Sequence, residues 1–360
     1  MRKHNFYAGP STLPLPVLEE LQRQMVDYHG MGLSIVETSH RSSEYDDVHH
    51  SAMGGMRALL DVPDSHEILF LGGGATMQFG MVPMNLMPPG GHADIVLSGS
   101  WAKKAQADLA KLGTANVLYD GTENSFTSLP EPGDVKPSGG SSYVHITTNE
   151  TIGGLQWKEF PQTDAVPLVA DMSSDILSRR IDVSQFGLIY AGAQKNLGPA
   201  GVTVVIVNKG LLDRIPDTLP AYLDYRTHAG KESLYNTPPV FSIYALSLVM
   251  NWITGEGGLD AIAKRNISKA AMVYRVIESS PEFFRCPVDP RYRSDMNVVF
   301  RLPDEELEKT FIAEAAKNDM VGLKGHRSVG GIRASLYNAL PVESVQVLVE
   351  FMRDFEKRHG

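Results

Sequence analysis

The amino-acid sequence predicts an α/β fold, with a large domain built on a mostly parallel, mixed β-sheet covered by helices and a smaller α+β C-terminal domain. Between residues 67 and 207, short apolar runs rich in β-branched residues alternate with helical patterns, which is typical of a largely parallel sheet. The link between the runs at 187–191 and 202–207 is too short for a crossover helix, so we expect that pair to be antiparallel.

Hydrophobic periodicity predicts the individual elements of the large domain. A first amphipathic helix is predicted at 17–28, ended by Gly30 and Gly32, and a second helix carries the apolar residues of 48–60. The run at 240–255 is apolar on nearly every side, so it should be a buried helix. The predicted strands are EILFL (67–71), the start of DIVLSGSW (94–101), NVLYD (116–120), SYVHIT (142–147), PLVAD (167–171), GLIYA (187–191) and VTVVIV (202–207).

The glycine-rich stretch GEGGLD, at 255–260, is the predicted domain boundary. We expect a large domain at 15–255 and a small domain formed by 1–14 together with 256–360. The elements predicted after the boundary are helices at about 259–279, 304–318 and 342–357 and strands at 297–300 and 332–336.

Composition is that of an ordinary globular protein. The 360 residues are 42% hydrophobic and 21% charged, and the net charge of −9 argues against a nucleic-acid partner or an acidic membrane surface. The start, MRKHNFYAGP, lacks the apolar segment of an export signal, and no run reaches the roughly 18 apolar residues of a spanning helix. Cys286 is the single cysteine, so an internal disulfide is impossible and a reducing, cytoplasmic location is expected.

One lysine stands out in the stretch AGAQKNLGPAG, at 191–201, because it lies between two strands that should be buried. Burial of Lys195 would favour the neutral amine, which is a nucleophile towards carbonyl carbons. On spacing alone, a loop lysine that reaches solvent past Gly198 and Pro199 is an equally good interpretation.

A carboxylate upstream favours the chemical interpretation. Asp171 ends the predicted strand PLVAD, and open α/β sheets build their sites at the carboxyl ends of such strands. A Schiff-base lysine and a carboxylate facing a pyridinium nitrogen are the pair that pyridoxal phosphate requires. Taken alone, Asp171 would better be interpreted as a helix cap before Met172 and Ser173; paired with Lys195, it predicts a cofactor site.

The glycines of GGGAT, at 72–76, follow a predicted strand and precede a predicted helix. Glycines let backbone N–H groups approach an anion, and a helix N-terminus favours negative charge. The stretch matches neither nucleotide-binding fingerprint, so by itself a tight strand–helix turn would be the simpler interpretation.

Six stretches of the sequence are informative when they are taken together. They are NFYAGPSTLP (5–14), ETSHRS (37–42), ADMSSD (170–175), YAGAQKNLGPAG (190–201), NTPP (236–239) and GLKGHRSVGGIRASLYNA (322–339). Together they resemble the class-V aminotransferases of fold type I, which depend on pyridoxal 5′-phosphate, and the resemblance covers the chain from near residue 5 to near residue 340. It implies reversible transfer of an amino group from L-glutamate to 3-phosphohydroxypyruvate, giving O-phospho-L-serine and 2-oxoglutarate in serine biosynthesis. Whether the 4-phosphohydroxy-L-threonine step of vitamin B6 biosynthesis is also catalysed stays open.

The resemblance also implies roles for individual residues in a homodimer with shared active sites. Lys195 and Asp171 are the catalytic residues, Trp101 stacks on the pyridine ring, and Thr151 bonds its phenolic oxygen. The implied cofactor-binding residues are Ala75, Thr76, Trp101, Thr151, Asp171, Gln194 and Lys195, with Asn236 and Thr237 from the neighbouring subunit.

Two His-Arg pairs, His40-Arg41 and His326-Arg327, are predicted to lie in glycine-bearing loops. They suggest recognition of a multiply charged anion, because arginine binds carboxylate or phosphate in a bidentate manner and histidine adds a switchable donor. By resemblance, Arg333 binds the α-carboxylate of the substrate. The residues implied for the distal phosphate, or for the glutamate side chain, are His326 and Arg327, with His40 and Arg41 from the partner chain.

Other interpretations stay open. A sister enzyme on the same fold could be a serine–glyoxylate aminotransferase or a cysteine desulfurase, although the desulfurase needs a mobile cysteine and Cys286 looks structural. A non-catalytic binding protein on an α/β scaffold is the alternative from another class. We predict no metal site, since the histidines lack H-E-x-x-H or other paired ligand spacing, and His49 and His50 are most simply an exposed helix face.

Overall fold

The computed structural model describes residues 2–360. None of the helices it describes combines the length and apolar character needed to cross a membrane. The helices are α1 (Leu15–Gln24), α2 (Ser43–Leu60), α3 (Gly74–Leu86), α4 (Ser100–Leu112), α5 (Lys209–Leu212), α6 (Tyr225–Ala229), α7 (Val240–Gly255), α8 (Gly258–Ser279), α9 (Glu305–Lys317) and α10 (Val342–His359). The strands are β1 (His4–Asn5), β2 (His66–Leu71), β3 (His92–Leu97), β4 (Thr114–Asp120), β5 (Val144–Thr147), β6 (Asn149–Glu150), β7 (Leu155–Gln156), β8 (Leu168–Asp171), β9 (Leu188–Gly192), β10 (Thr203–Asn208), β11 (Asn297–Phe300), β12 (Met320–Val321) and β13 (Ile332–Ser335).

The central sheet has the strand order β2-β10-β9-β8-β5-β3-β4. Strand β10 is antiparallel to both of its neighbours, and the other pairs are parallel. The predicted mostly parallel, mixed sheet is therefore confirmed, including the antiparallel pair, in which Thr203 lies opposite Gly192. Because all strands except β10 run in one direction, their carboxyl ends meet at one edge, which brings Leu71, Asp171 and Gly192 to the same side of the molecule.

Both faces of this sheet are covered, which explains why its strands are continuous apolar runs. On one face, Phe70 and Val204 belong to an apolar cluster with Met56 of α2 and Ile243 of α7. Leu69, the preceding residue, belongs instead to the cluster on the other face, with Phe79 of α3 and Leu109 of α4. The alternation of neighbouring residues between two apolar clusters follows from the two-residue period of a strand.

A third apolar cluster lies towards the C-terminus, where α8, α9 and α10 pack with β11 and β13. Phe6, from the N-terminal segment, is fully buried in this cluster, and β1 pairs in parallel with β12. This grouping supports a small domain formed by 1–14 and 256–360, although Leu259 and Val299 join the large-domain cluster instead. The division into two domains stays a prediction.

The predicted end of the first helix is wrong. The helix stops at Gln24 rather than near Tyr28, and the Gln24 side chain accepts a hydrogen bond from His29 N over 2.8 Å. Asp27 Oδ1 accepts another from Gly32 N over 2.7 Å. Side chains that bond the backbone locally compete with the helical ladder, and here they stabilise a turn.

The prediction that His49 and His50 form an exposed helix face is wrong for His49. This residue is fully buried, its Nε2 bonds with Glu232 O over 2.8 Å, and its ring packs edge-on against Phe70 at 5.4 Å. The cause is the packing of α2 between α7 and the sheet, which turns one of two adjacent residues inward. In the part of the chain that the structure describes, no group of three or more histidine, cysteine or acidic side chains is placed to hold a metal ion.

Candidate active site

The candidate site is built around Lys195, in the turn that joins β9 to β10. The residue is only 8% exposed, and its Nζ donates a hydrogen bond to Thr151 Oγ1 over 2.6 Å. Burial lowers the pKa of Lys195 to about 8, while the nearby carboxylates of Asp171 and Glu150 act in the opposite direction. A loop lysine that reaches solvent is thus not observed, and the neutral amine needed for nucleophilic attack is accessible near neutral pH.

The N-terminal segment holds the backbone of this turn. Ser11 N donates to Gln194 O over 3.0 Å, and Ser11 Oγ donates to Lys195 O over 2.5 Å. The side chain of Gln194 lies half-buried beside them. Anchoring of the main chain on both sides of the lysine leaves its side chain as the part that can move.

Asp171 lies at the carboxyl end of β8, adjacent to β9. Its Oδ1 accepts a hydrogen bond from Ser173 N over 2.9 Å, and Ser173 Oγ in turn accepts from Gly192 N over 3.2 Å. Residues 173–177 form turns rather than a helix, so the bond to Ser173 does not cap a helix. Burial raises the pKa of Asp171, and the Ser173 bonds and then Lys195 oppose that rise. A carboxylate buried in this way would be stabilised by a cationic ring nitrogen.

The glycine turn before α3 has the geometry of an anion cradle. Gly73 has a φ of 87°, a left-handed conformation that glycine adopts without strain, and a Cβ there would lie 2.7 Å from Met77 Cβ. No side chain caps α3 in the described structure, so its first N–H groups are available to an anion. Ala75 and Thr76 lie in this first turn, with Thr76 exposed.

Trp101 lies in the first turn of α4, half-buried, on the same edge of the sheet. The Nζ of Lys195 lies 5.5 Å from its ring centroid, and the Nζ of Lys104 lies 4.1 Å from it. Within residues 2–360, the buried Nε1 of Trp101 has no hydrogen-bond partner. The indole is therefore close enough to Lys195 to contact a flat ring attached to that amine.

Arg333, on β13, reaches the same place from outside the central sheet. Its Nη1 donates to Thr151 O over 3.4 Å, and its buried Nε has no partner in the described part of the chain. Burial lowers the pKa of Arg333, and Arg333 contributes to lowering the pKa of Lys195. A guanidinium left partly unpaired beside a buried amine is suited to binding a carboxylate.

His326 and Arg327 lie in the loop before β13. His326 Nδ1 lies 2.7 Å from Ser328 Oγ, and Arg327 is exposed. Burial lowers the pKa of His326, and the positive charges of Arg333, Arg327 and Lys104 lower it further. Arg333, Arg327 and Lys104 thus form a positively charged cluster near Trp101 with the His326 ring beside them, and this cluster can bind a second anionic group of a substrate.

The remaining predicted site residues lie on the surface of the single chain, away from buried contacts. Arg41 is exposed, and its N–H bonds to Ser39 Oγ over 3.2 Å, with His40 half-buried beside it. Asn236 and Thr237 are exposed, and the Asn236 amide donates to Thr237 O over 3.1 Å. Their hydrogen bonds are thus local, and the structure of one chain does not bring these four residues into the Lys195 cluster.

Two residues of the site were not predicted from the sequence. Glu150 is 1% exposed, and burial raises its pKa to about 7 although two backbone N–H groups lower it. Lys104 completes the positive cluster. The available signals were the position of Glu150 directly before Thr151 in a buried run, and the spacing of three between Trp101 and Lys104, which places both on one face of α4.

The arrangement fits pyridoxal phosphate. The site offers one group for each part of that cofactor. The buried Lys195 amine of lowered pKa suits the aldehyde, and the buried Asp171 carboxylate suits the ring nitrogen. The Trp101 indole suits the ring face, and the uncapped glycine turn before α3 suits the phosphate.

Comparison with known proteins gives the same class. The family model "Aminotransferase class-V" matches residues 3–348. A curated relative from Geobacillus kaustophilus, a phosphoserine aminotransferase, is 55% identical over 357 residues, covering 99% of each chain. The solved phosphoserine aminotransferase from Bacillus circulans subsp. alkalophilus superposes with a TM-score of 0.98 at 49% identity, covering 100% of this chain and 99% of that one. The enzyme from Trichomonas vaginalis, solved with bound PLP, superposes with a TM-score of 0.89 at 36% identity, covering 98% and 100%.

The chain thus belongs to the class-V aminotransferases, the pyridoxal-phosphate-dependent enzymes that the fold and the lysine–carboxylate pair define. Within that family it belongs with the phosphoserine aminotransferases, since the similarity extends over the full chain.

Proposed function

We propose that this protein transfers an amino group reversibly from L-glutamate to 3-phosphohydroxypyruvate, giving O-phospho-L-serine and 2-oxoglutarate. The observation that carries the proposal is the position of Lys195, between Asp171 on one side and a positively charged cluster on the other. Lys195 and Asp171 suit the cofactor, and the positively charged cluster suits substrates with two anionic ends. Full-length similarity to phosphoserine aminotransferases supports the same reaction.

The cofactor would be held by residues at the carboxyl edge of the sheet. Lys195 would bind it covalently, Asp171 would face the ring nitrogen, and Trp101 would stack on the ring. When bound, pyridoxal phosphate supplies an aldehyde carbon for amines and a ring that accepts electron density. The residues proposed for its oxygen and phosphate groups are Thr151, Ala75, Thr76 and Gln194, with Asn236 and Thr237 of the partner subunit.

The chain's own chemistry centres on one proton. Lys195 Nζ would accept the proton from the substrate Cα as a general base and later return it as a general acid. Its pKa of about 8 suits both roles near neutral pH. Thr151 Oγ1, at 2.6 Å, orients the amine, and the Asp171 carboxylate would keep a proton on the ring nitrogen.

Substrate recognition would depend on the positive side chains. Arg333 has an unpaired Nε for the α-carboxylate, which both substrates share. His326, Arg327 and Lys104 would bind the distal phosphate, or the side-chain carboxylate of glutamate, through charge-assisted hydrogen bonds. The partner subunit's Arg41 would add a further guanidinium, with His40 beside it.

A homodimer with shared sites would bring these partner residues into place. Large apolar side chains are exposed in the N-terminal part of the chain, where Val26 is 83%, Leu33 48% and Val36 47% exposed. Tyr235, next to Asn236, is 46% exposed. Contiguous exposed apolar side chains mark protein interfaces, and Val36 and Tyr235 stand close in sequence to the residues proposed to act in trans.

Cys286 argues against the desulfurase alternative. It is part-buried, and its Sγ lies 4.0 Å from Val288 O. Burial raises its pKa, which disfavours the reactive thiolate. As an unpaired thiol, it supports our proposal that the enzyme works in the reducing cytoplasm.

Purified enzyme loaded with pyridoxal phosphate tests the function directly. Borohydride should abolish the visible absorbance of the bound cofactor. A screen of keto acids against the amino form of the enzyme should show fastest amino transfer to 3-phosphohydroxypyruvate and 2-oxoglutarate. Faster transfer to glyoxylate would favour a glyoxylate aminotransferase, and a colourless protein without turnover would favour a binding protein.

A further inference from the structure

Glu150 is a buried acid beside the site that the proposed reaction leaves without a task. Glu150 forms no salt bridge with any described residue, although Lys195 is close enough to lower its pKa. The two oxygens are instead directed at α4. Oε1 accepts hydrogen bonds from Ala102 N over 3.0 Å and from Ser98 Oγ over 3.4 Å, and Oε2 accepts one from Trp101 N over 3.2 Å.

These bonds close the N-terminus of α4 from outside the helix. No side chain at the Gly99 N-cap position bonds the first turn, so the carboxylate on β6 satisfies N–H groups that would otherwise lack partners. In its ionised form, the carboxylate also places a negative charge at the positive end of the helix dipole. The approach is close, since a Cβ at Gly99 would lie 2.5 Å from Glu150 Oε2. Glycine at this position is therefore required for the contact.

The residues on either side of Glu150 connect its contact with α4 to the reactive lysine. Thr151, the next residue, accepts the hydrogen bond from Lys195. Asn149, the preceding residue, donates to Asn297 Oδ1 over 2.8 Å, which fixes this short strand on its other side. Glu150 thus links the main chain of Trp101 to the residue that contacts the reactive amine.

We propose that Glu150 is a positioning residue that holds the Trp101 indole in register with Thr151 and Lys195. It acts through Trp101 and does not itself touch substrate or cofactor. The inference rests on the proposed function for the identity of the bound group, because the indole is positioned for a pyridoxal ring.

The test compares variants of the cofactor-loaded enzyme. E150Q places an amide N–H₂ against a backbone N–H, E150D keeps the charge but shortens the reach, and G99A keeps the carboxylate but blocks its approach. Loss of one charge-assisted hydrogen bond predicts about tenfold or more weaker retention of pyridoxal phosphate in each variant. The visible circular dichroism of the bound cofactor should change in the same variants, because the asymmetry around its ring changes.

Asp94→Asn is the matched control. Asp94 is also a fully buried carboxylate, and it accepts hydrogen bonds from Ser138 N over 2.7 Å and Asn116 Nδ2 over 2.8 Å. It lies near the start of β3, at the end of that strand away from the N-terminus of α4. This variant should lose stability but keep the parent's cofactor spectrum and dissociation constant.

A Trp101→Ala background separates positioning from a direct electrostatic effect. If Glu150 acts through the indole, E150Q should add little to the loss of cofactor affinity that W101A already causes. Additive losses would overturn the proposal, as would a parent-like spectrum and affinity in E150D and G99A, or an equal spectral change in D94N. If E150Q does not fold, the cofactor affinity and spectrum of E150D and G99A test the proposal. A parent protein that binds no pyridoxal phosphate would instead refute the proposed function.

Discussion

Thr151 Oγ1 lies 2.6 Å from Lys195 Nζ, and the carbonyl oxygen of the same threonine lies 3.4 Å from Arg333 Nη1. One residue therefore contacts both the amine proposed to bind the cofactor and the guanidinium proposed to bind the substrate carboxylate. A shift of Thr151 would therefore affect both Lys195 and Arg333. Substitutions around this residue test the cofactor and substrate roles together.

Lys195→Ala should retain the fold and noncovalent cofactor binding but lose nearly all turnover. No other amine lies in this position to act as general base, a role associated with about 10²–10⁴-fold in rate. Amino transfer and borohydride-sensitive absorbance are the measurements, with the exposed Lys264→Ala as control. Transamination by Lys195→Ala at the parent's rate would refute the assignment.

The cofactor-free protein should show a pH dependence of stability that comes from Lys195. Its folded pKa is lowered from 10.5 to about 8, so between these values the unfolded chain binds the proton that the folded chain has lost. Stability attributable to this group therefore rises as pH increases from about 8 towards 10.5, and below pH 8 the buried charge is unfavourable by on the order of 3 kcal/mol.

Lys195→Met removes that dependence. Urea unfolding at pH 7 and pH 10 should show the Met variant more stable than the parent at pH 7, with the difference shrinking at pH 10. Lys264→Met, on the exposed face of α8, should show no such pH-dependent difference. Equal behaviour of the two variants would mean that Lys195 is not desolvated in solution.

Asp171→Asn should keep the fold but lower kcat on the order of 10²-fold, because a neutral amide cannot hold a proton on the ring nitrogen. The hydrogen bond from Ser173 can persist, since an amide oxygen also accepts it. Burial raises the pKa of Asp171, so an ionised carboxylate there disfavours folding at pH values above its unfolded pKa. The cofactor-free variant should consequently be no less stable than the parent at pH 7. If kcat and the cofactor spectrum are unchanged, Asp171 has only a structural role, as the acceptor of the hydrogen bond from Ser173.

Arg327→Ala should lower kcat/KM for phosphorylated substrate by about 10–100-fold, the equivalent of one charge-assisted hydrogen bond of about 1.5–3 kcal/mol. Cofactor absorbance should not change. Alanine, which has no distal anion, should react as poorly with the variant as with the parent. The exposed Arg275→Ala, on α8, controls for loss of a positive charge elsewhere; an equal effect there would argue for long-range attraction instead of contact.

Mixed dimers test whether Arg41 acts in trans. Mixing Arg41→Ala with Lys195→Ala subunits should form one intact site per heterodimer, so activity should rise above that of either variant. Arg327→Ala mixed with Lys195→Ala should show no recovery, because both changes affect residues proposed to serve the same chain's site. If subunits exchange and the first mixture stays inactive, Arg41 acts within its own chain.

Regular elements were predictable because their signals are local. The strand pairing of 187–191 with 202–207 followed from chain length between them, and the buried helix at 240–255 from its apolar composition; both were confirmed. Lys195 and Asp171 could be singled out because each stands at the end of a predicted strand, and parallel strands end at one edge of a sheet.

Tertiary structure alone decided the surroundings of single polar residues. His49 and His50 are adjacent in sequence, yet one is buried against Phe70 and the other is not. Glu150 contacts α4, and Lys104 lies near His326, through chain segments far apart in sequence. The period of apolar residues determines which backbone elements form, because side-chain direction repeats with local geometry. Which distant element then covers a given side chain depends on how those elements pack, and that information is not contained in the local pattern.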